Sequence, residues 1–181
     1  MIDDVLPKVA ALKRAGRHEE AYAEAVSLAR AFPSDVRAQT AAAYAADRLG
    51  REEEAVAFYE RAHELGPLED DQPGFLLGYG STLRSIGRLE QAVAVLRNAT
   101  IQYPSETALF AFLALALHSH GQHREAMAMM LDVALKVTRE DGLGGYDRAL
   151  REYQEELSTL SGSEDSGTSE PNRGREENSL G

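Results

Sequence analysis

The sequence predicts an all-α fold, built as a tandem array of helix pairs. Four glycines recur in the same local context, at spacings of 34, 37 and 34 residues. Each is followed five residues later by an alanine, and three of the four units reach a proline twelve residues after that. A fixed period of this length indicates repeated helical hairpins stacked on one another. The recurring positions are Gly16, Gly50, Gly87 and Gly121, then Ala21, Ala55, Ala92 and Ala126, then Pro33, Pro67 and Pro104.

Each recurring glycine is predicted to follow the first helix of its pair. The chain must take a left-handed backbone turn there, and glycine does so without a Cβ clash. The proline is predicted to stop the second helix, because it fixes φ and has no N–H to donate. Ser34 or Asp35, and later Ser105, are placed to cap the helix that follows.

Small residues are predicted where the two helices of a pair cross, because a close approach of about 8 Å between helix axes leaves little room. The predicted crossing pairs are Val9 with Ala21, Ala43 with Ala55, Gly80 with Ala92, and Ala114 with Ala126. In three of the units, a larger residue four positions after the alanine is predicted to fill the seam toward the next unit, whereas the first unit has the smaller Ala25 there. The larger residues are Tyr59, Leu96 and Met130.

Two segments depart from the period. Between the second and third units, residues 68–74 (LEDDQPG) carry three extra residues, with Pro73 predicted in a first helical turn after a cap at Asp71 or Gln72. After the fourth unit, residues 141–145 predict a turn and residues 146–160 a last helix, whose apolar residues form one stripe on a 3.6-residue period. A repeat array ends in an element with a polar outer side, so this helix is predicted to cap it.

On these positions the chain resembles the tetratricopeptide repeat family, and residues 51–67 (REEEAVAFYERAHELGP) are the best copy. The resemblance implies a right-handed α-solenoid with units at about 2–35, 36–72, 73–106 and 107–140, and a capping helix at about 146–160, in one domain of residues 1–160. The tryptophan common in the first helix of this family is replaced by Val5, Gln39, Leu76 and Phe110.

Residues 161–181 are predicted to form a disordered acidic tail. Leu180 is its single large apolar side chain, so the segment buries too little to offset the entropy of ordering. The tail has a net charge of −3, which leaves −8 for the rest of a chain whose total is −11.

Composition excludes several classes of function. A net charge of −11 repels the phosphate backbone, so nucleic acid is not an expected partner. No cysteine is available for a disulfide or a zinc–cysteine site. The N-terminus has no secretory pattern, and the longest apolar run, 108–117, is about half of the roughly 20 residues that span a membrane. We therefore expect a cytoplasmic protein without membrane contact, and sixteen arginines to three lysines suggest a GC-rich bacterial gene.

No catalytic, cofactor-binding or metal-binding residues are predicted, and we do not expect an enzyme. His118 and His120 are two residues apart on a helix and His123 lies across the turn, so their spacing does not favour a shared metal. The acidic run 52–54 lies in the first turn of a helix, where negative charge stabilises the helix dipole. The run 69–71 lies in the inserted loop, and no cleft, triad or phosphate-binding loop accompanies either run.

In tetratricopeptide proteins the first helices line a concave groove, and the resemblance therefore implies a partner-binding surface there. The groove is expected to be basic at one end and apolar at the other, so that it binds a protein or peptide. Its candidate residues are Arg37, Tyr44, Arg48, Leu77, Arg84, Phe112 and Leu115. The arginines are expected to attract an acidic peptide, for which the tail could compete. The side chains at the positions of the family's carboxylate clamp cannot donate hydrogen bonds, so that activity is not expected: Leu6, Ala10, Ala41, Gly74 and Gly78.

The fourth unit leaves two readings open. Its first helix carries ten apolar residues in succession, 108–117, and a helix apolar all round is covered on more than one side. Either the terminal helix folds over it, or Leu77, Phe112 and Leu115 form an exposed patch. The predicted function is a non-catalytic interaction scaffold. The alternatives are homo-oligomeric assembly through the fourth-unit helix, or a small acidic secretion-type chaperone.

Overall fold

A computed structural model describes residues 2–66, 72–138, 142–143 and 145–161. That part of the chain contains nine α-helices and no β-strand, which confirms the predicted all-α class. In chain order they are α1 (Ile2–Arg14), α2 (His18–Ala31), α3 (Val36–Arg48), α4 (Glu52–Leu65), α5 (Gln72–Ser85), α6 (Leu89–Gln102), α7 (Thr107–Ser119), α8 (His123–Val137) and α9 (Asp147–Ser161). None of these helices is long and apolar enough to cross a membrane.

Helices α1 to α8 form four antiparallel pairs, and each second helix packs against the first helix of the next pair. The first helices also contact one another: α1 with α3, α3 with α5, and α5 with α7. Successive second helices lie farther apart and meet through long side chains, as Arg97 of α6 does with Glu125 of α8 at 2.9 Å. The first helices therefore lie on the inner, more tightly curved side of a solenoid, and the second helices lie outside.

The turn within each pair has the predicted left-handed geometry. The four recurring glycines have φ between 68° and 91°. The N–H of the residue after each glycine bonds back to a carbonyl five residues earlier, as Arg51 does to Ala46 at 3.0 Å. This is the Schellman closure of a helix end. Pro33 and Pro104 each follow the end of a second helix by two residues, as predicted, whereas Pro67 lies outside the described residues.

The predicted caps are confirmed at one position and wrong at another. Asp35 caps α3, because its carboxylate accepts hydrogen bonds from the backbone N–H groups of Arg37 and Ala38 at 2.9 and 3.4 Å. Ser105 does not cap α7, because the helix begins one residue too late and the cap position holds Glu106, which makes no side-chain capping bond. Gln72 is the first residue of α5 rather than its cap, and Asp71 lies outside the described residues.

Two hydrophobic clusters form the core. The larger extends from α3 to α8 and buries large side chains such as Tyr59, Phe75, Leu83 and Leu96. The smaller joins α1, α2 and the start of the second unit, and consists of Val9, Leu12, Val26 and several alanines. Tyr22 and Phe58 pack against both clusters.

The predicted helix crossings are buried, and Gly80 shows why a small residue is needed. A Cβ at Gly80 would lie 2.8 and 2.9 Å from the two Cδ atoms of Leu96, which has no exposed surface. Tyr59 and Leu96 fill the seam to the next unit as expected, while Met130 is only half-buried.

The last helix covers less than the sequence predicts. Among the described residues, helix α9 packs along α8 and approaches α7 at Phe110, with which Gln154 and Ser158 line a pocket of about 340 Å³. Leu115 of α7 stays 42% exposed. Ala149, Leu150 and Leu157 of the α9 stripe are half-buried. Tyr146 and Tyr153 remain 72% and 60% exposed. The predicted tail, apart from Ser161 at the end of α9, lies outside the described residues.

Candidate functional site

A pocket of about 450 Å³ opens on the inner wall between α3 and α5. It is lined by Tyr44, Asp47 and Arg48 of α3, by Tyr59 of α4, and by Gly74 and Gly78 of α5. The two glycines lie one helical turn apart on the same face. Because neither carries a side chain, α5 presents bare backbone to the groove at this point.

Tyr59 forms the floor of the pocket because Gly78 leaves room for its hydroxyl. A Cβ at Gly78 would overlap that hydroxyl and would lie 3.2 Å from the Tyr59 Cζ. The ring is fully buried, in edge-to-face contact with Tyr44 (6.0 Å between centroids) and Phe75 (5.4 Å). It also stacks on Tyr79 at 5.7 Å. Such contacts leave the ring little freedom to move.

Asp47 joins three helices through its carboxylate. Its Oδ2 accepts a hydrogen bond from the Tyr59 hydroxyl at 3.2 Å, and its Oδ1 accepts one from the Thr82 hydroxyl at 3.1 Å. Burial raises the pKa of Asp47 above its ordinary value, although the two hydrogen bonds oppose the shift. The floor of the pocket is therefore polar and fixed by packing.

Basic groups surround this floor. Lys13 of α1 places its Nζ 5.5 Å from the centroid of the Tyr44 ring. Arg48 is exposed at the pocket edge and forms no ion pair with any described residue. Arg84 is half-buried, and its buried Nε has no hydrogen-bond acceptor among the described residues.

Charge is distributed unevenly between the two walls. Helices α1, α3 and α5 each carry a net charge of +1 and α7 carries none, so the inner wall totals +3 with histidine neutral. On the outer wall α2 carries −2 and α4 carries −4, while α6 and α8 are balanced, for a total of −6. The inner wall is thus positive in a strongly acidic protein.

The predicted site residues fall into three environments. Tyr44 and Arg48 meet in the pocket. Arg37 is instead engaged by Asp35 at 2.8 Å and by Asp3 at 2.7 Å, so its charge is already balanced. Leu77 and Phe112 are half-buried against the large cluster, and Leu115 is 42% exposed.

Sequence reasoning missed two parts of this site. Tyr59 was expected only as a seam residue, yet its hydroxyl reaches the inner wall beneath Gly78. From the sequence, Gly74 and Gly78 are predicted only to lack side-chain hydrogen-bond donors. Two glycines four residues apart in a predicted helix lower its stability, however, and therefore indicate that another group packs closely against the backbone there.

The histidines also differ from expectation. His118 and His123, predicted to be separated by the turn, have their Nδ1 atoms 3.1 Å apart. His120 lies elsewhere, with its Nε2 3.5 Å from Glu90. Within the described residues, no group of three metal-ligating side chains forms around them.

Comparison with known proteins agrees with this architecture. Residues 36–157 match the family model described as Tetratrico peptide repeat. The chain belongs to the tetratricopeptide repeat family. Repeats of this family generally form non-catalytic scaffolds for protein–protein interaction, and this chain has that fold.

Solved structures extend the likeness to the fold. MamA from Desulfovibrio magneticus RS-1 is 19% identical, over 91% of this chain and 97% of that chain, with a TM-score of 0.65. A MamA mutant is 18% identical, over 76% of this chain and 78% of that chain, with a TM-score of 0.66. An O-GlcNAc transferase mutant from Thermobaculum terrenum is 19% identical, with a TM-score of 0.62; 75% of this chain matches 26% of that one. No curated protein matches in sequence.

Proposed function

We propose that the inner wall of this tetratricopeptide solenoid binds a polypeptide segment of a partner protein. The observation that carries the proposal is the pocket between α3 and α5, which combines a fixed polar floor with Arg48, a residue that has no ion-pair partner among the described residues. Clefts with a few placed polar groups in a rigid frame are typical of binding sites.

The pocket offers distinct contacts to one side chain of such a segment. The Tyr44 ring supplies a flat apolar surface, and Arg48 supplies up to five N–H donors for a carbonyl or carboxylate. The bare backbone at Gly74 and Gly78 lets a ligand approach α5 more closely than a side chain would allow. Because Tyr59 is held by three rings, little ordering is needed on binding.

A second contact region lies on α7. Leu115 is 42% exposed on the first helix of the fourth unit, so α9 leaves this part of α7 open. Phe112, one turn earlier, is half-buried beside it. A segment that reaches from the pocket to Leu115 would use polar contacts at one end and apolar contacts at the other. We expect such a segment to bind with micromolar affinity, which corresponds to a binding free energy of about −8 kcal/mol.

Affinity capture from the native host with the full chain as bait tests the proposal. The inner-wall variant is Arg48→Glu with Leu115→Glu, and the matched control is Arg30→Glu with Met127→Glu. The control residues are likewise exposed, but they lie on second helices. We expect specific partners to be lost with the inner-wall variant alone, while circular dichroism shows both variants folded. Partners retained by the inner-wall variant and lost by the control would place the binding surface on the outer wall.

Self-association is a second candidate, favoured by the same exposed Leu115. It predicts a concentration-dependent dimer in sedimentation without any added ligand, and a monomer after Leu115→Glu. A monomer at all concentrations would exclude self-association.

Three expectations from the sequence stay predictions. They are the unit boundaries given above, the cytoplasmic location and the secretion-type chaperone.

A further inference from the structure

We propose that the ends of the first helices form a basic ladder, Lys13, Arg14, Arg48 and Arg84, which binds an extended acidic segment with carboxylates at every third residue. This inference rests on the proposed function, because it specifies the chemistry of the segment that the inner wall binds.

Each ladder residue is a cation that has no acidic partner within the part of the chain that the structure describes. None of the four forms an ion pair with a described residue. Elsewhere, cations are mostly paired, as in Arg88 with Glu60 at 2.5 Å, and Arg97 with Glu125 at 2.9 Å. The charge of the four ladder residues is therefore available to a ligand, whereas the other cations of the first helices, Lys8 and Arg37, are paired with acidic residues.

The ladder residues lie at one edge of the groove. All four are in the last turn of a first helix. Lys13 and Arg48 border the groove directly, through the Tyr44 ring and the pocket. Arg84 lies three residues before its turn glycine, the repeat position that Lys13 occupies in the first unit, so the same face of α5 carries it. Each of the first three units thus places at least one cation at the end of its first helix. In the second unit the position equivalent to Lys13 and Arg84 holds Asp47, and the cation is the next residue, Arg48.

The step length selects the conformation of the ligand. Successive first helices contact one another, and packed helices lie roughly 8 to 10 Å apart, so we take this distance as the spacing between the helix ends that carry the cations. A polyproline II segment rises about 3.1 Å per residue with three residues per turn, so every third side chain recurs on one side after roughly 9 Å. Carboxylates at positions i, i+3 and i+6 would therefore meet successive steps together.

A helix-end explanation competes with this one. Cations in the last turn of a helix stabilise its dipole by about 0.3 to 1 kcal/mol, with no ligand involved. That explanation predicts lower melting temperatures after substitution and no effect on peptide binding. The ladder predicts a loss of affinity and salt sensitivity of binding, because exposed charge pairs are screened.

Three synthetic peptides test the ladder on the full chain by fluorescence anisotropy at low salt. The first repeats Glu-Pro-Pro four times. The second has the same composition but places four glutamates together before eight prolines, and the third repeats Lys-Pro-Pro four times. We expect the first to bind at least fivefold more tightly than the second, and the third not to bind. Raising the salt to physiological strength should weaken binding of the first peptide.

Protein variants give the matched comparison. Arg48→Gln and Arg84→Gln should each weaken binding of the first peptide about two- to fivefold, the range for exposed ion pairs. Arg30→Gln, an exposed last-turn arginine of α2 that is likewise without an ion pair to a described residue, should leave the affinity unchanged.

Each other result overturns a defined part of the inference. If the two glutamate peptides bind equally well, carboxylates at every third residue are not required. If all three protein variants bind the first peptide with equal affinity, the ladder residues do not bind it. If neither glutamate peptide binds while the inner-wall variant still loses its captured partners, the inference fails and the proposed function stands. A lower melting temperature with unchanged peptide affinity would show that the cations stabilise the helix ends and do not bind the peptide.

Discussion

The glycines of the four turns and the glycines inside α5 occupy opposite environments. The turn glycines have positive φ, and at Gly87 an added Cβ would meet nothing within 4 Å. Gly78 and Gly80 lie within a regular helix, and an added Cβ would collide with Tyr59 or Leu96. The turns need a glycine for its backbone and have space for a side chain, whereas α5 needs the space and has ordinary backbone.

This difference shows that glycine content alone does not reveal a residue's role. The turn positions recur with the repeat and define it. The α5 positions occur in one unit, where the chain gives up helix propensity to admit two large side chains from neighbouring second helices, Tyr59 from α4 and Leu96 from α6. Substitutions should therefore act through strain in the first group and through overpacking in the second.

The largest effect is expected at Gly80. Gly80→Val should lower the free energy of unfolding by about 3 kcal/mol, because Leu96 is fully buried and cannot move aside. Chemical denaturation measures the change. Combining it with Leu96→Ala should cost less than the sum of the two single changes, since the clash is then relieved. Strict additivity would show that the two side chains do not compete for the same space.

A smaller effect is expected at the turn. Gly87→Val should lower the free energy of unfolding by more than about 1 kcal/mol, because a β-branched residue is strongly disfavoured at its φ of 79°. Gly87→Ala is the matched control and should cost less, since alanine lacks the branch at Cβ. An unchanged melting temperature in the valine variant would contradict the strain assigned to this turn.

At Gly78 the gain in helix propensity offsets only part of the overpacking. Gly78→Ala gains roughly 1 kcal/mol of helix propensity, but its Cβ would overlap the hydroxyl of the buried Tyr59, so a net loss of about 1 kcal/mol is expected. The pKa of Asp47 should rise, because the hydrogen bond from Tyr59 lowers it. Carboxyl titration by NMR reports that shift. Tyr59→Phe removes the same hydrogen bond without a clash and should raise the pKa of Asp47 likewise. A pKa shift in only one of the two variants would contradict the assignment of both shifts to the lost hydrogen bond.

The smallest effect concerns the pH dependence of stability. The folded-state pKa of Asp47 is raised by burial, so its contribution to stability is present at low pH and is lost as the pH rises from about 4 through the raised pKa. Asp47→Asn does not titrate. Its stability relative to the natural chain should therefore increase over that interval. A difference that is constant between pH 4 and 8 would contradict the shift.

The fold was readable from the sequence because its determinants repeat. Gly16, Gly50, Gly87 and Gly121 recur with the alanines that follow them, and each position reports the same turn or crossing. The prediction that Ser105 caps α7 was wrong, because the hydrophobic period does not locate the first residue of a helix to within one position. The length of α9 was predicted, but which of its neighbours it covers depends on a docking angle that no pattern encodes.

The site was harder to predict because each of its contacts occurs in a single repeat unit and so leaves no recurring pattern in the sequence. Asp47 bonds to Thr82, thirty-five residues away, and to Tyr59, whose repeat position predicts a seam residue. Arg37 was assigned to the groove from its repeat position, yet Asp3 and Asp35 engage it. Repeat position fixes the direction in which a side chain leaves its helix, but not which neighbour it finds there.

The division of the interior into two hydrophobic clusters has a consequence for how the molecule opens. The first helix pair rests on the smaller cluster, made of alanines with a few larger residues such as Leu12 and Val26, and joins the remainder through Tyr22 and Phe58. Less apolar surface holds this end in place, so brief excursions of the first pair should need less energy than those of the third. We expect amide protons in α1 to exchange with deuterium sooner than those in α5 under native conditions. Equal protection would indicate that the two clusters open as a single cooperative body.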